Sequence, residues 1–100
     1  MTNNSGVNDP NDFEKLNDEE KKILIHWITH KLGRSERIYK KASSYDLKEL
    51  FEQSPQGFYI TNGQFKGAMI AAEYRVLDKK SLNWHFNISK LFIDRLKQNS

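Results

Sequence analysis

The sequence lacks cysteine altogether and contains only two prolines in 100 residues. The absence of cysteine excludes a disulfide-stabilised scaffold, a zinc site with thiolate ligands and a cysteine nucleophile. No apolar run approaches the roughly 20 residues that a membrane-spanning helix needs, and the polar residues 1–5 do not have the pattern of a signal peptide. We therefore expect a single small domain in the cytoplasm.

Charge is distributed unevenly along the chain, whose formal net charge is +3. Residues 1–20 hold six acidic side chains and one lysine, whereas residues 21–100 hold 15 basic and seven acidic side chains. A positively charged body attracts polyanions, and nucleic acid is the first candidate among them. The alternative is an ordinary small basic protein whose charge serves no such purpose.

The composition divides the chain into residues 1–16, a disordered acidic leader, and residues 17–100, a single helical domain that binds DNA or protein. Asn, Asp, Ser, Gly and Pro dominate the leader. Its apolar residues Val7 and Phe13 are too isolated to offset the entropy that ordering would cost. Removal of the leader is therefore expected to leave stability nearly unchanged.

The first helix is predicted from Asn17 to about Leu32. Asn17 is a good N-cap with Glu20 at the capping-box position, and Gly33 is a good C-terminal stop. The apolar side chains of this helix form a stripe along one face, and Ile23 and Trp27 widen that stripe.

Three further helices follow. The second begins after Ser43 or Ser44 and directs four side chains to the core: Tyr45, Leu47, Leu50 and Phe51. The third runs from about Gly63 to Tyr74 after a cap at Thr61 or Asn62. The last begins after Ser89.

Residues 82–88 alternate apolar and polar side chains, which is typical of a strand. The expected fold is therefore a mainly α, small helical domain of the helix-turn-helix or winged-helix type with a short β segment. A plain helical bundle is the alternative.

The sequence offers little for catalysis or for a cofactor. His26 and His30 have the i, i+4 spacing of metal ligands on a helix, but Trp27 stands where a zinc protease has its glutamate. No nucleophile elbow, phosphate-binding loop or dinucleotide fingerprint occurs. We expect a non-catalytic protein without a metal or another cofactor.

Two segments are candidate nucleic-acid contacts. The start of the third helix would present free N–H groups to a phosphate, and polar side chains there could reach DNA: Thr61, Asn62, Gln64 and Lys66. The connector at residues 34–43 is basic and could clamp a phosphate backbone through Arg34, Arg37, Tyr39, Lys40 and Lys41. A solvated basic turn is the competing interpretation of the connector.

A stripe of small residues, Gly63, Gly67 and Ala71, recurs at every fourth position of the third helix. Its missing bulk would permit close approach of a partner protein. The alternative is close packing of this helix against another part of the same domain.

The motif Gly57-Phe-Tyr-Ile-Thr-Asn-Gly-Gln-Phe-Lys-Gly-Ala-Met69, with Asn83-Trp-His-Phe-Asn-Ile88, resembles small helix-turn-helix-like proteins of Gram-positive mobile elements and phages. The similarity covers roughly residues 35–90. In size and layout the chain is also similar to the small proteins encoded beside a helicase and an A-family DNA polymerase in staphylococcal cassette chromosome elements. That resemblance implies binding to the polymerase of the same element and support of its primer synthesis, and it assigns no catalytic residue.

The expected function is that of a non-catalytic accessory protein of a mobile genetic element. It would bind DNA, a replication DNA polymerase, or both, in support of primer synthesis or replication. A helix-turn-helix transcriptional regulator and a pure protein–protein adaptor are the alternatives.

Overall fold

The computed structural model describes residues 7–98, which form four α-helices and one short 3-10 helix. The 3-10 helix spans Pro10–Lys15. The α-helices span Asp18–Lys31 (α1), Ser44–Gln53 (α2), Asn62–Ala71 (α3) and Lys90–Gln98 (α4). The mainly helical class that the sequence predicts is confirmed.

Three helix starts are fixed by the capping side chains that the sequence indicates. At α1, Asn17 Oδ1 accepts a hydrogen bond from the Glu20 N–H at 2.8 Å, and Glu20 Oε1 accepts one from the Asn17 N–H at 2.9 Å. Ser43 and Thr61 precede α2 and α3, and each donates its N–H to the side chain three residues on. After α1, Gly33 adopts a φ of 62°, a left-handed conformation that costs glycine little.

The helix-turn-helix detail is not confirmed. Residues 32–43 separate α1 from α2, and residues 54–61 separate α2 from α3. Both connections are longer than the turn of about 3–4 residues that joins the helices of that motif.

The expected β segment is reduced to isolated bridges. Tyr39 and Val76 each form one antiparallel bridge to Phe86. The alternation within residues 82–88 is nevertheless real, because Trp84, Phe86 and Ile88 are all buried. These extended segments hold the connector beside the residues that follow α3.

One core receives side chains from every helix. The largest fully buried ones in the described residues include Leu24, Ile28, Leu47, Phe51, Phe65, Phe86 and Ile93. Tyr45 does not join them as expected: it is 48% exposed. It lies one turn before Glu49 on the outer side of α2, whereas Leu47 and Phe51 face inward.

The expectation of a disordered leader is wrong for residues 7–16, which we call the N-terminal segment. Pro10–Lys15 form the 3-10 helix, capped by Asp9, whose side chain accepts a hydrogen bond from the Asn11 N–H at 2.9 Å. Phe13 and Leu16 are buried, at 7% and 8% exposure. Their burial against α3 offsets the ordering entropy. Residues 1–6 of the expected leader lie outside the described residues.

The N-terminal segment packs on the small-residue stripe of α3. A Cβ atom on Gly63 would overlap the backbone of Asp9, and one on Gly67 would overlap the Pro10 carbonyl and the Phe13 side chain. The partner-binding role expected for Gly63 and Gly67 is therefore corrected, because both glycines are buried under the chain's own backbone. Ala71 is exposed beyond the end of this contact.

Candidate interaction surfaces

The first turn of α3 does not offer the free N–H groups that the sequence predicts. The Gly63 N–H donates to the Val7 carbonyl at 2.8 Å, and the Gln64 N–H donates to Thr61 Oγ1 at 3.1 Å. The Gln64 side chain in turn accepts from the Thr61 N–H at 2.9 Å. Because the N–H groups of Thr61 and Gly63 are bound within the chain, the phosphate site predicted at the start of α3 is wrong for this arrangement. The Gln64 side chain, predicted to reach DNA, is held by the same cap.

Asn62 is also committed to the interior. Its Nδ2 atom lies 2.9 Å from Asn8 Oδ1, 3.0 Å from Asn83 Oδ1 and 3.3 Å from the Leu82 carbonyl. The side chain therefore ties α3 to the N-terminal segment and to the residues before Trp84. It is not placed to read a nucleic-acid base.

Lys66 is the most thoroughly buried of the predicted nucleic-acid contacts, with only 3% exposure. Its ammonium donates to the Asn8 carbonyl at 3.2 Å and lies 4.8 Å from the centre of the Trp84 ring. Burial lowers the pKa of Lys66, and the nearby charge of Asp9 opposes that shift. Lys66 therefore holds the N-terminal segment in place and cannot reach a phosphate from this position.

Arg34, in the basic connector, acts on the end of α3. Its Nη1 donates to the Glu73 carbonyl at 3.1 Å, and its Nη2 donates to the Ala72 carbonyl. The guanidinium carbon lies 4.0 Å from the centre of the Tyr74 ring. A cation at the C-terminal carbonyls of a helix is stabilising, so Arg34 has a structural role that the sequence did not indicate.

The other connector residues divide by exposure. Tyr39 is half-buried, and its N–H donates to the Phe86 carbonyl at 2.9 Å. Arg37, Lys40 and Lys41 are exposed, and we call these three residues the basic edge. Arg34 is exposed as well, but its guanidinium is bound to the Ala72 and Glu73 carbonyls, whereas within residues 7–98 no such bond is seen for the side chains of the basic edge.

The acidic Asp94 of α4 lies close to the basic edge. A hydrogen bond from Lys90 at 2.8 Å lowers the pKa of Asp94, and the charge of Lys41 acts in the same direction. Of the basic edge, Lys41 therefore lies near enough to α4 to act on Asp94.

A groove that the sequence analysis missed lies between α1, the end of α2 and α4. It has a volume of about 860 Å³ and is lined by apolar atoms of Ile23, Trp27, Leu50, Pro55 and Leu96. Four basic or imidazole side chains stand along it: Lys22, His26, His30 and Lys31. We call it the α1–α4 groove. The one signal in the sequence was the widened apolar stripe of α1, at Ile23 and Trp27.

The two histidines of α1 lie side by side at this groove. Their rings are stacked with centroids 3.9 Å apart, and His30 Nδ1 lies 2.9 Å from the His26 carbonyl. Because a carbonyl only accepts, His30 Nδ1 carries the proton of that hydrogen bond. Within residues 7–98, no group of three or more histidine, aspartate or glutamate side chains is placed to hold a metal ion.

Lys48 is buried on α2, where it forms ion pairs with two glutamates of the same helix. Its ammonium lies 3.1 Å from Glu52 Oε2 and 3.4 Å from Glu49 Oε2. Burial favours a lower pKa for Lys48, but the hydrogen bonds and charges of the two glutamates outweigh it, and the pKa is raised. Glu52 also accepts the Ile60 N–H at 3.0 Å, so the pair fastens α2 to the segment before α3.

No protein-family model, characterised protein or solved structure matches this chain. In the part of the chain from residue 7 to residue 98, no helix combines the length and the apolar character needed to cross a membrane.

Proposed function

We propose that this chain is a non-catalytic accessory protein of a mobile genetic element that binds a protein partner through the α1–α4 groove. The single observation that carries the proposal is the groove itself. Its walls include Ile23, Leu50 and Leu96, which pack against the core but are only partly buried by the chain. Apolar side chains left at a concave surface are typical of sites that bind another molecule.

The partner that we propose is the DNA polymerase encoded by the same element. The resemblance to small proteins encoded beside an A-family polymerase supports this choice. In that role the protein would support primer synthesis or replication without catalysing either. A pure protein–protein adaptor would use the same groove to bind a partner other than the polymerase.

The polymerase proposal is tested by titrating the purified polymerase into the purified chain and measuring heat. A Leu50→Asp variant places a charge in the groove, and we expect the dissociation constant to rise at least about tenfold. Leu77→Asp is the matched control, because Leu77 is 51% exposed and does not line the groove. Circular dichroism checks that both variants are folded. Equal affinity of the Leu50→Asp variant and the native chain would reject the groove as the binding site. If the native chain gives no heat of binding, the polymerase is rejected as the partner.

DNA binding is a second candidate, and the exposed basic edge favours it. Changing Arg37, Lys40 and Lys41 together to serine should weaken DNA binding. The slope of log affinity against log salt should fall by about 0.7–0.9 for each lost phosphate contact. Lys79 and Lys80 are exposed elsewhere, and their change to serine is the control. An unchanged slope in the triple variant would show that the basic edge does not contact DNA phosphates.

An operator-specific regulator is less well supported than either candidate. Such a protein inserts a recognition helix into the major groove. Here α3 has most of its side chains buried, and its first turns lie under the N-terminal segment. We therefore do not propose α3 as a recognition helix.

A further inference from the structure

The polar side of the α1–α4 groove has a regular geometry. Lys22, His26 and His30 follow one another at four-residue spacing on α1, so they form one row. At about 1.5 Å per residue, this row extends over about 12 Å. Lys31 adds a second lysine at its end. No aspartate or glutamate lines the groove as the structure describes it.

The apolar side of the groove is built on fixed core residues. Trp27 is buried and packs edge-to-face on Phe51, with ring centroids 5.4 Å apart. Leu50 and Leu96 reach the groove from α2 and α4. A partner would therefore meet an apolar floor on a rigid scaffold, with a lysine near each end of one wall.

We infer that the occupant of this groove is an amphipathic helix of a partner protein that carries acidic residues beside its apolar face. Apolar side chains at i, i+3 or i+4, and i+7 would enter the groove, which is the usual way a helix is held. Carboxylates at four-residue spacing would then face the row on α1. The inference rests on the proposed function in requiring a protein partner, but it does not require a polymerase.

Charge complementarity decides between an acidic and a basic partner helix. A basic helix would bring like charges against Lys22 and Lys31, which is unfavourable at an interface. An acidic helix gains attraction at both lysines and faces no repelling carboxylate among the groove residues. The electrostatic part of this preference weakens with salt, because the rim side chains are near solvent.

Two labelled helical peptides of 18 residues test the inference. Both carry the same leucine face, and they differ only in having glutamate or lysine at the flanking positions. By fluorescence anisotropy at low salt, we expect the glutamate peptide to bind the native chain at least about tenfold more tightly than the lysine peptide. High salt should reduce that ratio.

A charge-reversal variant sharpens the test. Changing Lys22 and Lys31 together to glutamate should reverse the preference, so that the lysine peptide binds more tightly. Changing Lys79 and Lys80 to glutamate alters net charge equally away from the groove and should leave the preference unchanged.

Three results would overturn the inference: equal binding of both peptides, binding of neither, or a dimer of this chain that the Leu50→Asp change dissociates. The last result would show that a second copy covers the groove. The polymerase titration separates the two proposals. Polymerase binding that is lost with Leu50→Asp but unchanged by the Lys22 and Lys31 reversal supports the proposed function and overturns the acidic helix. Preferential binding of the glutamate peptide without polymerase binding supports the acidic helix and overturns the polymerase as the partner.

Discussion

The side chain of Phe13 occupies the space that a larger residue at Gly67 would need. This contact joins the N-terminal segment to α3, since the same glycine lies against the Pro10 carbonyl. It explains why the stripe of small residues exists: the backbone of the N-terminal segment comes too close to α3 for any side chain. Gly63 and Gly67 therefore form an internal contact of the domain, whereas Ala71 lies exposed beyond it.

Phe13→Ala should destabilise the protein by about 3–5 kcal/mol, the range for removing a buried aromatic side chain. The physical reason is the apolar area lost together with the cavity left beside α3. Urea unfolding followed by circular dichroism gives the free energy of unfolding. Asn11→Ala is the matched control, because Asn11 is exposed within the same 3-10 helix and binds Asp9 through its backbone. An unchanged midpoint for the Phe13 variant would contradict the packing described here.

Gly67→Ala should destabilise the protein by about 1–3 kcal/mol, although alanine is the better helix former by about 1 kcal/mol. The added methyl group overlaps a backbone carbonyl, which cannot move without shifting the N-terminal segment. Ala71→Leu tests added bulk at an exposed position of the same stripe, and it should change stability by less than about 0.5 kcal/mol. Thermal melts of the two variants compare their stabilities. A Gly67→Ala variant that melts above the native chain would contradict the close packing at Gly67.

Glu52→Gln should lower the free energy of unfolding at pH 7 by about 1.5–3 kcal/mol, because it removes the nearer anion from the buried Lys48. Glu49→Gln is the matched control and should cost less than about 1 kcal/mol, since Glu49 is more exposed and farther away. Chemical unfolding at constant ionic strength measures both.

The ion pair between Lys48 and Glu52 also makes the stability of the protein depend on pH. The two glutamates raise the pKa of Lys48 in the folded state above the ordinary lysine value of 10.5, although burial opposes this shift. Its stabilising contribution is therefore complete below about pH 10.5 and is lost as the pH rises through the folded-state pKa. The stability of the native chain should fall above pH 10.5 by more than that of the Glu52→Gln variant. Parallel loss in both proteins would show that other groups cause the alkaline unfolding.

Glu73→Gly should stabilise the protein by about 0.5–1 kcal/mol. Glu73 has a φ of 66°, and its N–H donates to the Ile70 carbonyl while the Tyr74 N–H donates to the Met69 carbonyl. These bonds form the helix ending in which glycine is the usual residue, because a Cβ atom is strained at positive φ. Glu73→Ala keeps the Cβ and should give no such gain. Equal melting temperatures for the glycine and alanine variants would argue against strain at this position.

The helix boundaries could be read from the sequence because their causes are local. Asn17 and Glu20 cap each other across three residues, and Gly33 ends α1 through its own backbone freedom. Apolar spacing likewise identified Leu47 and Phe51 as core residues. The helical class and most of the helices are therefore predictable from local sequence patterns.

Whether each candidate site is buried or accessible follows only from the tertiary structure, because it depends on contacts between residues far apart in the chain. Val7 and Phe13 look isolated in the sequence, but elements distant in the chain contact them. Lys21 of α1 lies over the Phe13 ring, and α3 contacts Val7 at Gly63 and Phe13 at Gly67. That contact buries Lys66 and closes the helix start that had been expected to bind phosphate. The α1–α4 groove could not be foreseen for the same reason. Three separate helices must be brought together before their partly buried side chains form one surface, and the packing of the whole chain determines that arrangement.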